Sequence, residues 1–227
     1  MQIAEKTCIL QSSKKGESIM ERTTYRKLEE YMLSCMEDSA HDREHVYRVL
    51  YSALTIAAEE PTADTDVLVC ACLLHDIGRP EQFADPTVCH ARVGGEKAYR
   101  FLMKNGFSET FARHVQACIT THRFRREMPP ESIEAKILFD ADKLDVTGAL
   151  GVARTLFYQG EVGDPLYTLR ADGGISDGTD DAQPSFFRNI NSNWKVSTTV
   201  FIRKRGRSWQ RSGSLPPPRI TMRCCGR

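Results

Sequence analysis

No stretch of the chain approaches the ~20 consecutive apolar residues of a membrane span, so nothing in the sequence reads as a transmembrane helix. The opening segment MQIAEKTCILQSSKKGES also lacks the apolar stretch of a secretory signal, and a cytoplasmic location is expected. Eight cysteines are present, but none are paired at CxxC spacing, and Cys70 and Cys72 fall inside an apolar run. Buried free thiols are expected rather than disulfides or a zinc knuckle. No segment alternates convincingly between apolar and polar residues, so strands are not expected. Acidic residues are missing altogether from 188–227, which holds ten Lys plus Arg. Residues 1–187 then carry 21 basic against 30 acidic side chains, a balance of −9 hidden by the net charge of +1. A body of that sign is no general nucleic-acid binder, which needs a basic face to displace counterions.

What is there suits one soluble domain with extra segments at its ends: 227 residues, 41% hydrophobic and 27% charged. From Glu21 to about Tyr158 apolar residues recur at helical spacing, broken by short Gly, Pro or Asp/Ser signals. An all-α bundle of six to seven helices over residues 20–168 follows. Leu28, Tyr31, Met32 and Cys35 mark the first helix; Val46, Val49, Leu50 and Leu54 mark the second, which opens near Ser39 to Asp42. Thr65 to Ile77 is apolar almost all round, which describes a buried central helix with Gly78 as its C-terminal stop. Further helices are expected over about Ala91–Lys104, Ser108–Thr121, Pro130–Leu144 and Asp145–Gln159.

The ends read differently. Residues 1–19 are expected to be a non-native or disordered leader, with Met20 as the start. Residues 169–187 read as a flexible Gly/Asp/Ser loop, and 188–227 as a basic, unfolded tail. Back-translating from Asn189 and reading two nucleotides later yields an amphipathic helical sequence, so the tail is read as the product of a frameshift, the alternative being a genuine basic tail without fold.

Four segments carry chemistry: HDREH at 41–45, LLHDIGRP at 73–80, CHARVGGEKA at 89–98 with ITTHRF at 119–124, and FDADKLD at 139–145. Together they hold five of the six histidines. Imidazole and carboxylate are the donors divalent transition metals accept. An ionised Asp76 among Leu73, Leu74 and Ile77 is costly unless paired or metal-bound. Taken alone, His75-Asp76 reads more readily as a polar helix end, with the histidine capping carbonyls.

The ordered pattern H…HD…D, its last Asp in a D-A-D-K-L run, resembles the HD domain superfamily of metal-dependent phosphohydrolases. EHVYRV, LLHDIGRP, HARVGGEKA and DADKLDVTGALGVAR are similar to a YedJ-like bacterial subgroup, over about residues 23–168. The resemblance implies an all-α bundle that hydrolyses phosphate esters, nucleotides among them, with metal-activated water and one or two divalent ions (Mn, Fe, Co, Ni, Zn or Mg). The implied ligands are His45, His75, Asp76 and Asp142. His90 and His122 match positions of additional ligands in the two-metal branch, where Asp76 would bridge; alternatively they line the pocket and touch substrate. His41, one turn before His45, is either an end-capping residue or part of the site.

Asp76, Lys143 and Arg79 are the candidate catalytic residues, the two cations being suited to stabilise phosphoryl charge. Arg123, Arg125 and Arg126 could receive phosphates but read more readily as a solvated run; Asp145 could orient a ligand, and Asp140 could equally cap or pair on the surface. The expected partner is a small phosphorylated substrate, with neither membrane nor nucleic acid involved, and a homo-oligomer is left open. The competing reading is a metal-binding regulatory or structural module without turnover.

Overall fold

The computed structural model describes residues 20–36, 43–123 and 128–199. Its helices are α1 (Arg22–Met36), α2 (Arg43–Ala57), α3 (Thr65–Leu74), α4 (Arg79–Ala84), α5 (His90–Lys104), α6 (Glu109–Thr121), α7 (Ile133–Asp145), α8 (Gly148–Val162) and α9 (Phe186–Thr199). Among the described residues there is no strand, only an isolated bridge between Leu169 and Ile175. No helix among them is long and apolar enough to cross a membrane. The architecture is all-α, as the periodicity implies. The chain divides into two units after Asp142, inside α7.

In the first unit α3 occupies the centre because it has no polar face to give to water: Val67 to Leu74 are all buried. Helices α1, α2, α5 and α6 pack around it. Its start is fixed by the Asp64 carboxylate, which accepts from the Asp66 and Val67 amides at 3.0 and 3.1 Å. The free thiols of Cys70, Cys72 and Cys118 are buried, in keeping with the reading of cysteines as core residues.

The end of α3 departs from expectation. The helix stops at Leu74, and 75–78 form a turn that leads directly into α4, a helix not foreseen in the sequence. Gly78 is not a left-handed stop, since its φ is −96°. Its role is close approach: a Cβ there would lie 2.3 Å from the His90 carbonyl oxygen and 2.6 Å from the Gly94 nitrogen. Gly95, on the next position of α5, allows the same intimacy with α6, where a Cβ would meet Thr120 Oγ1 at 2.6 Å. Lys97 completes the clamp. Its ammonium donates to the Ile77 carbonyl at 2.7 Å and to Glu81 on α4 at 2.9 Å.

The second unit holds α8 and α9. Gly163, at φ +75°, ends α8 in the left-handed conformation that favours glycine. Phe186, Phe187 and Ile190 of α9 form a small core with Val152 and Ile175. The segment read as a flexible loop carries its own bonds: Thr168 and Ser176 hydroxyls both donate to Asp181, and the Ser176 amide donates to the Thr168 carbonyl at 2.9 Å. Helix α9 extends through Thr199, into the part read as an unfolded tail; residues 1–19 and 200–227 lie outside those described.

Gly78→Ala is expected to cost about 2–3 kcal/mol, because the added methyl meets backbone that cannot rotate away. Urea unfolding of the purified variant measures it, and an unchanged midpoint would contradict the close-approach account.

Candidate metal centre

Six side chains from five elements of the first unit converge in its interior. His45 comes from α2, His75 and Asp76 from the end of α3 and its turn, His90 from the first position of α5, His122 from the C-cap of α6, and Asp142 from α7. All six are buried, His75 and His90 completely. They form two sets: His45, His75 and Asp142, and Asp76, His90 and His122, the donor atoms of each set lying within 4.8 Å of one another.

Asp76 faces both sets. Its Oδ2 lies 3.7 Å from His45 Nε2 and 3.6 Å from His75 Nε2, while its Oδ1 lies 3.3 Å from His90 Nε2 and 3.7 Å from His122 Nε2. Arg79, one turn further on, donates from Nε to Oδ1 at 3.0 Å.

The imidazoles are oriented from behind. His75 Nδ1–H donates to the Cys72 carbonyl at 2.8 Å, His122 Nδ1–H to the Ile119 carbonyl at 2.6 Å, and His90 Nδ1–H to Gln82 Oε1 at 2.5 Å. These bonds place the proton on Nδ1 and leave the Nε2 lone pair facing inward. His75 Nε2 and His45 Nε2 are then 3.3 Å apart, as are His90 Nε2 and His122 Nε2, and His45 Nε2 is 3.3 Å from Asp142 Oδ1. Neighbouring ligands about 2.0–2.2 Å from a divalent ion are separated by about 3.0–3.5 Å, so the donor set fits a cation in each cluster.

Electrostatics agree with neutral imidazoles. Burial holds His75 below its ordinary value, outweighing the neighbouring Asp76 carboxylate. Burial likewise takes His122 down to about 3 and His90 down to about 2. For Asp76 burial pushes upward, but Arg79 and then His75, His90 and His45 overcome it and hold the carboxyl well below its usual range.

The structure thus brings together the six residues named as candidate ligands and sets Arg79 against Asp76. Lys143 follows Asp142 on α7, is partly buried and opens the second unit. His41, Arg125 and Arg126 lie outside the described residues. Asp140 is fully buried rather than at the surface, and Asp145 pairs with Arg154 of α8. His114 lies against buried Glu134, with Nε2 3.0 Å from Oε2. Gln82 and Lys97 escaped the sequence reading, because neither belongs to a ligand pattern and both act through contacts that only the fold makes.

Depressed imidazole values fix the sign of a pH effect. A histidine near 6.5 when unfolded but held lower when folded contributes stability in full above about pH 6.5, and that contribution shrinks as acid protonates the unfolded chain. Without added metal, the unfolding midpoint is expected to fall steadily from pH 6.5 toward 4, before Asp76 becomes relevant. A flat urea midpoint across that range would contradict buried, neutral imidazoles.

Residues 43–147 match the model of the HD domain family. YpgQ of Bacillus subtilis (strain 168) is 36% identical over 135 residues, 58% of this chain and 63% of YpgQ. The chain therefore matches somewhat less than two thirds of that relative's length. A crystal structure described as a predicted HD superfamily hydrolase from an uncultured Thermotogales bacterium is 28% identical. It aligns with a TM-score of 0.51 over 81% of this chain and 92% of that one. YpgQ crystallised in complex with ADP shares the fold at 24% identity in the structural alignment. Its TM-score is 0.62, over 83% of this chain and 86% of that one. H, HD and D are gathered from α2, the α3 turn and α7 within the segment 43–147 that matches the HD domain model.

Proposed function

We propose that this centre hydrolyses phosphate esters, with a nucleotide as the substrate class. The observation that carries the reading is the position of Asp76, which turns one carboxylate oxygen toward each of two sets of inward-facing donors. His45, His75 and Asp142 would hold one divalent ion and His90 and His122 a second, with Asp76 shared between them. Such ions lower the pKa of water from about 15.7 toward ~7 and draw charge from phosphoryl oxygens.

The chain's own residues do the rest. The Cys72, Ile119 and Gln82 acceptors hold three rings in one tautomer and orientation, so the donors need no rearrangement. Of the two cations singled out in the sequence, this reading assigns Arg79 to the phosphoryl oxygens. Its Nε is committed to Asp76 and its side chain is about one quarter exposed, leaving the guanidinium edge toward an entering anion. Nucleotides are favoured as substrates because the Bacillus subtilis relative is known with ADP bound.

Turnover of nucleotides and simple phosphate esters with Mn, Co, Ni or Mg tests the reading. Asp76→Ala is expected to reduce kcat/KM by at least about 10²-fold. His90→Ala is expected to halve the metal content by elemental analysis. Bound metal with no turnover of any ester would favour the regulatory module instead.

A further inference from the structure

Arg123 directly follows His122 and reads in the sequence as part of a solvated basic run. In the structure it is only partly exposed, and its Nη1 is buried without a hydrogen-bond partner. A cationic donor removed from water and left without an acceptor is destabilising, so the position calls for an anion. Asp76 does not supply it: its Oδ1 accepts from Arg79 Nε at 3.0 Å, and Arg123 Nη1 makes no hydrogen bond to it. Arg123 leaves the end of α6 directly after His122, whose Nε2 lies 3.3 Å from that of His90, so the chain carries it at the second donor set.

We propose that Arg123 is a substrate-binding residue of the centre, receiving a phosphoryl oxygen on its buried Nη1 beside His90 and His122. A phosphoryl group matches this position because its oxygens accept in the fork geometry that a guanidinium offers and an ammonium does not. Arg79 and Arg123 then both serve the anion on the Oδ1 side of Asp76, one through the turn after α3 and one through the end of α6. This inference deepens the phosphate-ester reading and rests on it for the choice of anion.

The test is binding of inorganic phosphate, followed by ³¹P NMR titration of the full chain with and without Mg²⁺, in wild type, Arg123→Gln and Arg123→Lys. Loss of a charged hydrogen bond is expected to raise the dissociation constant by about tenfold or more in Arg123→Gln. Arg123→Lys, which keeps the charge and loses the fork, is expected to fall between. Metal content should stay at its wild-type value and the unfolding midpoint should not fall, since Nη1 has no hydrogen-bond partner to lose. Equal phosphate affinity in wild type and both variants, or no saturable phosphate binding by wild type, overturns the assignment. Should Arg123→Gln fail to fold, the comparison of wild type with Arg123→Lys decides alone, and equal affinity there overturns it. Weakened phosphate binding in a chain that hydrolyses no ester would keep the anion site and sink the hydrolase reading. Active enzyme with unaltered phosphate affinity would do the reverse.

Discussion

A carboxylate only 2% exposed, set between four imidazoles, is the constraint around which the first unit is arranged. Burying that charge is costly unless compensation arrives from several directions at once. Arg79 supplies one cation from the following turn, but the Nε2 atoms of His75, His90 and His122 are neutral acceptors, and those of His90 and His122 face one another at 3.3 Å. Lone pairs opposed at that distance gain nothing from each other and a great deal from a cation between them. The same arrangement that is awkward in electrostatic isolation is therefore a ready coordination shell.

Holding it requires a rigid frame. Helix α3 is buried on every side, so its end cannot shift without moving the core. Gly78 and Gly94 allow the turn and α5 to touch backbone to backbone, and Lys97 ties the Ile77 carbonyl to α4. Each contact lies behind the donors rather than among them. Their joint effect is to present Asp76 at a fixed height between α2 and α7 on one side and α5 and α6 on the other.

Much of this was legible in the residues. The apolar run before His75 could only be a central helix, and the helix ends at Asn105-Gly106 and Ser108 fall where the signals stand. The order H, HD, D pointed to the centre, and the histidines before G-G-E-K-A and at the end of I-T-T-H joined it. Other features left no local trace. RPEQFA is too short for a period and begins with an Arg-Pro pair, so its residues carry no signal for α4. Gly78 resembled a helix stop, whereas its reason is a neighbour twelve residues away at His90. Asp140 has the composition of a surface residue and is buried by packing that only the tertiary fold defines. Arg123 sits in a run of arginines that invites a solvated reading; what distinguishes it is one nitrogen closed off from water.

The central claim is that Asp76 stands between two cation sites. Crystals grown with Mn²⁺ and measured on both sides of the manganese absorption edge test it most directly. The account predicts two anomalous peaks, one within coordinating distance of His45, His75 and Asp142 and one of His90 and His122, each next to a different oxygen of Asp76. A single peak, or peaks that leave either set of donors without an ion, would contradict it.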